Sequence, residues 1–237
     1  MSRVARAGVL AAAVAALGVL SGCVYLRLLD VKRQLVDFDR HFLIGGRAAL
    51  TIEFLTPVLF QKDTRFLIGA PPAGETLTEE GTLDHYEFFL HRSTDALPPP
   101  LDRLSLDLAY RERKLVKIIV PETFLLLFSR NVLVETFKQA KDAAVYEMKR
   151  LARAKIRLSP AVEAELPSLT RTIFLLGEPG EKVFLGEDET LIYRFGVTTE
   201  SRPVSIVGRL TFNRDGLLKR AVVRWDASTV EAEFDRS

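Results

Sequence analysis

Apolar side chains recur at every second position on both sides of Gly45-Gly46. Phe38, Phe42 and Ile44 precede the pair, with Arg40 at the one polar position in that series, and Ala48, Leu50, Ile52 and Phe54 follow it. A period of two is that of a strand with one buried face, and a glycine pair supplies the positive φ of a tight turn. The spacing predicts a hairpin with strands at about 37–44 and 47–54. Two more hairpins read the same way: 104–110 with 115–120, turning at Arg111-Glu112-Arg113, and 204–213 with 217–225, turning at Arg214-Asp215-Gly216. Leu83–His91 and Thr190–Val197 read as strands, and Thr229–Phe234 as an edge strand or a tail.

Helical signals are fewer. Asp63–Ile68 has a candidate N-cap in Asp63 and a stop in Gly69, with Pro71 and Pro72 barring continuation. Leu169–Leu176 starts at Ser168 or Thr170 and ends at Gly177 and Pro179. Leu133, Phe137, Ala140, Ala144, Met148, Leu151 and Ala152 recur at three- and four-residue steps. That period predicts one long amphipathic helix reaching about Arg157, stopped before Ser159-Pro160. Its basic residues, Lys138 to Arg157, read as the wet face of a core helix or as a surface for anionic headgroups. Residues 73–81 read as a turn-rich loop, and Glu178 to Glu189 as a solvated acidic loop.

An internal repeat runs through this pattern. Phe66-Leu67-Ile68-Gly69-Ala70-Pro71 matches Phe174-Leu175-Leu176-Gly177-Glu178-Pro179, and Tyr86-Glu87-Phe88 matches Tyr193-Arg194-Phe195. Each copy then ends in a hairpin. Shared order and spacing point to a duplication, the alternative being coincidence between two ordinary helix–turn–strand units. The unit resembles the SmpA/OmlA (BamE-like) domain and the related repeat of the β-lactamase inhibitor protein, best over residues 166–225. The resemblance implies short helices on one face of a small antiparallel sheet, and an outer-membrane-associated binding domain. The expected fold class is therefore α+β: two small antiparallel-sheet units joined by a long amphipathic helix. The boundaries are a first unit at 37–130, a connecting helix at 131–158 and a second, SmpA/OmlA-like unit at 159–237.

The N-terminus carries an address. Arg3 and Arg6 precede an apolar run from Gly8 to Leu20, the length of a secretory h-region and too short to span a bilayer. Leu20-Ser21-Gly22-Cys23 follows, with the sole cysteine. This resembles the lipobox of bacterial lipoproteins. The resemblance implies cleavage of a signal peptide at 1–22, recognition of Leu20, Ser21 and Gly22 by the peptidase, and acylation of Cys23, palmitate being one such chain. Two or more chains anchor stably where one does not. Val24 after the cysteine implies the outer membrane, facing the periplasm, with residues 23–36 as a lipidated tether. The alternative is an uncleaved, interrupted membrane helix over residues 8–29.

Composition narrows the function. Without residues 1–22 the 33 basic residues fall by two to 31, equal to the 31 acids. A neutral body lacks the basic footprint of a nucleic-acid binder. His41, His85 and His91 have no paired-ligand spacing, so no metal or cofactor is expected. No nucleophile elbow, P-loop or zinc-protease motif occurs. The expectation is a lipid-anchored envelope lipoprotein, not an enzyme. It would bind or scaffold an envelope protein partner in outer-membrane assembly or maintenance. Tyr193, Phe195 and Trp225 form a candidate binding surface, or else belong to the core. A second reading is a carrier or sensor of a lipid or other apolar ligand, in a pocket lined by residues such as Phe88, Phe124, Phe128 and Phe137. A third is an enzyme whose site has no recognisable motif.

Overall fold

The computed structural model describes residues 24–91, 98–147, 150–197, 204–225 and 228–235. Leu20, Ser21, Gly22 and Cys23 lie outside the described residues. Residues 24–34 form helix α1, and α2 (Phe38–His41) continues it after a 3₁₀ turn. The chain then runs through β1 (Phe42–Gly45), β2 (Leu50–Phe54), α3 (Gln61–Ile68), β3 (Gly74–Thr78), β4 (Gly81–Leu90), β5 (Arg103–Arg111) and β6 (Lys114–Val120). Next come α4 (Glu122–Leu125), α5 (Arg130–Gln139), β7 (Ala144–Tyr146), β8 (Leu151–Arg157), α6 (Pro160–Glu163) and α7 (Leu169–Leu176). Five strands close it: β9 (Glu181–Leu185), β10 (Asp188–Val197), β11 (Val204–Phe212), β12 (Leu218–Trp225) and β13 (Ser228–Asp235), the last beside β12.

The 13 strands among the described residues form one sheet. Its order is β1-β2-β6-β5-β4-β10-β11-β12-β13-β8-β7, with β3 paired to β4 and β9 to β10. Every pair is antiparallel except β13 with β8. This overturns the expected two small sheets joined by a long helix. The helix stops at Gln139, and residues 144–146 and 151–157 are strands. Ala152, Ala154 and Ile156 fit a period of two as well as a helix, and β13 lies parallel to them over seven register pairs, Thr229↔Leu151 to Asp235↔Arg157. That pairing buries Ile156 completely and overrides the helical propensity of the Ala-, Lys- and Arg-rich segment. Arg150, at φ 46°, turns the chain into β8. The side chain of Gln139 donates to the Arg157 carbonyl (2.6 Å) and accepts from its N–H (2.7 Å), tying the end of α5 to the end of β8.

Smaller corrections follow the same logic. Residues 38–41 are helical, so the first strand begins at Phe42. Asp63 sits at the third position of α3, where its carboxylate accepts from the Phe60 N–H at 2.8 Å, and Phe60 is the N-cap. The turn-rich 73–81 segment contains β3, and the acidic segment contains β9.

The two halves share an element order. Helices α3 and α7 each have eight residues and end on a glycine of positive φ, Gly69 at 72° and Gly177 at 75°. Strands β4 and β10 each have ten residues, preceded by the short β3 and β9. The halves meet where β4 pairs with β10: Phe88↔Val197, Phe89↔Gly196, Leu90↔Phe195. Exchanging the halves maps this set onto itself, so the joint has a local two-fold. A Cβ on Gly196 would stand 2.6 Å from the Phe89 ring, so glycine is what lets that ring lie over the joint.

One face of the sheet is apolar from β1 to β8 and lies under the helices. The other carries exposed ion pairs such as Lys117–Glu53 (2.9 Å) and Arg103–Glu87 (3.2 Å), each of little energetic weight. The first half's core gathers Phe42, Leu50, Ile52, Tyr86 and Tyr110 under Val31, Leu35 and Phe137. The second gathers Leu191, Tyr193, Phe212, Leu218 and Ile156 under Val132, Leu175 and Leu176.

Candidate functional site

The second half's core is incompletely filled. Opposite the buried Tyr193 of β10, in register, stands Gly208 of β11. Opposite Tyr86, the matching tyrosine of β4, stands Leu106. The missing side chain leaves a hollow of about 250 Å³ between the sheet and the segment after β6, which contributes Phe124, Leu127 and Phe128. Phe88, Phe195 and Leu210 form its floor with Gly208, and Ala221 and Val223 of β12 continue it. Among the described residues the only polar side chain in the lining belongs to Tyr193, whose hydroxyl donates to the Gly177 carbonyl at 3.0 Å. Burial, and secondarily the charge of Glu178, pushes that phenol above its ordinary range, so it stays neutral and is already spent on the backbone. Nothing in this lining can give or take a proton near neutral pH. An apolar cavity of about 150 Å³ stays dry and takes up benzene, and this one is larger.

A second hollow of about 200 Å³ lies further along the same face. Leu28, Val31 and Leu35 from α1 and its following turn roof it, with Phe137 of α5, over Trp225, Val230 and Ala152. Tyr25, Lys32 and Arg150 complete its wall. The two hollows abut on the sheet, because Val223 in the first lining and Val230 in the second are cross-strand partners.

The sequence-derived candidates fall as follows. Tyr193 and Phe195 are buried and line the first hollow, while Trp225 lines the second and donates its indole N–H to the Leu67 carbonyl. All three share the covered face of the sheet. Of the four phenylalanines named for an apolar pocket, Phe88, Phe124 and Phe128 line the first hollow. Phe137 instead packs edge-on against Phe42 (5.3 Å) and reaches the second. Gly208 and Ala221 were missed. Their signal was present: a glycine in the middle of an apolar strand marks a place where something approaches the backbone closely.

Comparison with known proteins finds no matching family model, no matching curated protein and no matching solved structure.

A polar cluster in the first half is the rival site. Asp63 and Asp84 are fully buried. Asp63 accepts two bonds from Arg27 (both 2.6 Å) besides that from Phe60. Asp84 accepts from Arg65 Nε (3.0 Å) and Nη2 (2.9 Å) and from Gln61 (3.0 Å). Arg65 also donates to Glu75 at 2.5 Å, and its hydrogen bonds to Asp84, ahead of that to Glu75, hold its guanidinium above the usual range. Thr64 and Tyr110 share a 2.7 Å bond. A polar depression of about 600 Å³ opens beside Arg65, bordered by Lys62, Glu75 and Arg113. Both buried carboxylates are saturated by positioned donors, which suits a staple holding α1 and α3 to the sheet better than acid–base work. Among the described residues no cluster of His, Cys, Asp and Glu could hold a metal. His41 and His85 are engaged by Thr56 (2.6 Å) and Asp107 respectively.

Proposed function

We propose that this chain is a non-catalytic binding protein of the cell envelope, holding an apolar ligand in the hollow over Gly208 as a carrier or sensor. One observation carries the reading. The second half places glycine opposite its buried tyrosine where the first half places leucine, and the space is left open. Close packing is the rule in protein interiors, so a void walled by apolar side chains and one backbone-bonded phenol has the chemistry of a site for an apolar ligand. A lipid anchor at Cys23, after removal of residues 1–22, would hold the body at the outer membrane facing the periplasm, next to a store of apolar ligand. Support for that address is the Leu20-Ser21-Gly22-Cys23 motif. The scaffold reading, with an envelope protein pairing at a sheet edge, has less behind it. The edge strands β1 and β7 have four and three residues, and short edges are how sheets avoid pairing.

The test is titration of the purified full chain with naphthalene. Saturable binding is expected. Gly208→Leu should weaken it at least tenfold, since a Cβ there meets only the Phe195 ring at 3.7 Å and the Tyr193 carbonyl at 4.0 Å, both ordinary contacts, and the added side chain runs into the hollow. Equal binding by both proteins would overturn the proposal.

A further inference from the structure

The second hollow bears on what the ligand is. It shares the apolar face with the first, and the two linings touch at Val223 and Val230. Those valines lie on the covered face yet remain 40% and 45% exposed, so the helices leave a gap between the hollows and not a wall. From Tyr193 on β10 to Ala152 on β8 is four strand spacings, through β11, β12 and β13. At about 4.8 Å each this is about 19 Å. One leaflet of a bilayer's hydrocarbon core is about 15 Å thick, the span that one lipid chain fills. The first hollow alone takes a ring-sized group, whereas both together match a long chain laid across the strands.

The two ends of this path differ in charge. The Gly208 end is lined by apolar side chains and the backbone-bonded phenol of Tyr193. The other is bordered by Lys32 and Arg150, with no acid among the described residues of its lining. The Lys32 ammonium donates to the Ala143 carbonyl at 2.7 Å, and the Arg150 guanidinium stands over the Phe66 ring at 5.8 Å. Both are thereby held at the rim. Tyr25, in the same wall, is two residues from Cys23.

We propose that the two hollows are one trough for a single long acyl chain with an anionic head. The tail lies over Gly208 and the head lies between Lys32, in the last turn of α1, and Arg150. The proposal rests on the apolar-ligand reading and names the class of ligand. A chain entering at the α1 end comes from the side where the acylated Cys23 would hold the membrane.

The test uses the full chain with four probes in parallel: naphthalene for the first hollow alone, palmitate, hexadecanol as its uncharged counterpart, and 1-palmitoyl-lysophosphatidylglycerol. Ala152→Phe, or Ala152→Leu should the larger residue prevent folding, obstructs the second hollow. It should weaken palmitate at least tenfold and shift naphthalene less than twofold. Lys32→Gln with Arg150→Gln should weaken palmitate and the lysophospholipid about five- to tenfold and leave hexadecanol unchanged. Which anion binds tighter in the native protein separates a carboxylate from a phosphodiester head. Palmitate binding indifferent to Ala152→Phe would overturn the trough while the apolar-ligand reading stood. Naphthalene binding indifferent to Gly208→Leu would remove that reading first.

Discussion

The two halves of this molecule use one scaffold to enclose opposite interiors. Taking α3 with α7 and β4 with β10 position by position, Arg65 corresponds to Ile173, Asp84 to Leu191 and Asp63 to Arg171. The first half fills its centre with an ion network and closes the sheet with Leu106. The second puts Ile173 and Leu191 in place of the buried Arg65–Asp84 pair, turns Arg171 to the Leu126 carbonyl, and leaves Gly208 open. Tyr86 and Tyr193, and Thr64 and Thr172, occupy matching buried positions in both. The frame therefore does not depend on what fills it. It needs the eight-residue helix, the glycine stop, the tyrosine and the hairpins. The interior is free to be a staple in one half and a ligand site in the other.

The comparison is broken most forcefully by alkali. Burial raises the phenols of Tyr86 and Tyr110 in the first half and Tyr193 in the second. A tyrosine whose folded pKa is raised stabilises the protein fully below the unfolded value near 10, and that stability is lost as pH climbs toward the folded value. Each phenol withdraws about 1.4 kcal/mol per pH unit above about 10, so three withdraw about 4 kcal/mol by pH 11. Urea titrations at pH 8 and 11 should show this. Tyr193→Phe should remove one third of the slope, and an unchanged slope would mean that the phenol is not buried.

Asp84→Ala removes the buried acceptor of Gln61 and leaves Arg65 with Glu75 alone, and should cost about 3 kcal/mol in denaturant titration. Asp84→Leu with Arg65→Ile, which copies the second half, should cost less than half of that. If the double replacement is as damaging as the single, the halves are not interchangeable in the sense argued above. Leu106→Gly, which copies the open half into the closed one, should cost about 3 kcal/mol and create a weak naphthalene site beside Tyr86. Loss of stability with no new binding would show that the first half collapses around the gap.

The finest distinction lies in the tyrosine hydroxyls. That of Tyr193 donates to the Gly177 carbonyl, whereas that of Tyr86 is buried beside the Arg65 guanidinium without a well-formed hydrogen bond among the described residues. Tyr193→Phe should cost about 1 kcal/mol, and Tyr86→Phe should be neutral or slightly stabilising. Thermal midpoints that move equally would erase the difference.

Much of the scaffold was legible because its signals are local. Ser168, Gly177 and Pro179 bracket α7 at the residues observed, the Ser168 hydroxyl accepting the Arg171 N–H at 3.2 Å. The strands of both late hairpins follow from alternation and the positive-φ Gly216. What was not legible depends on distant partners. Residues 151–157 become a strand because β13, from the far end of the sequence, lies beside them. The single sheet depends on β4 meeting β10 at Gly196, a contact that no local pattern announces. The site was half visible. Phe88, Phe124 and Phe128 stood out as large apolar residues, but a hollow is made by what is missing, and Gly208 and Ala221 drew no notice among their aliphatic neighbours.

The claim that the second half is built around empty apolar space is tested most directly by crystals held under xenon pressure, since xenon enters dry apolar cavities. The result expected is a strong xenon peak between Gly208, Tyr193 and Phe128, absent from Gly208→Leu. The native protein showing no xenon there, with Phe124 and Phe128 folded down onto Gly208, would contradict it.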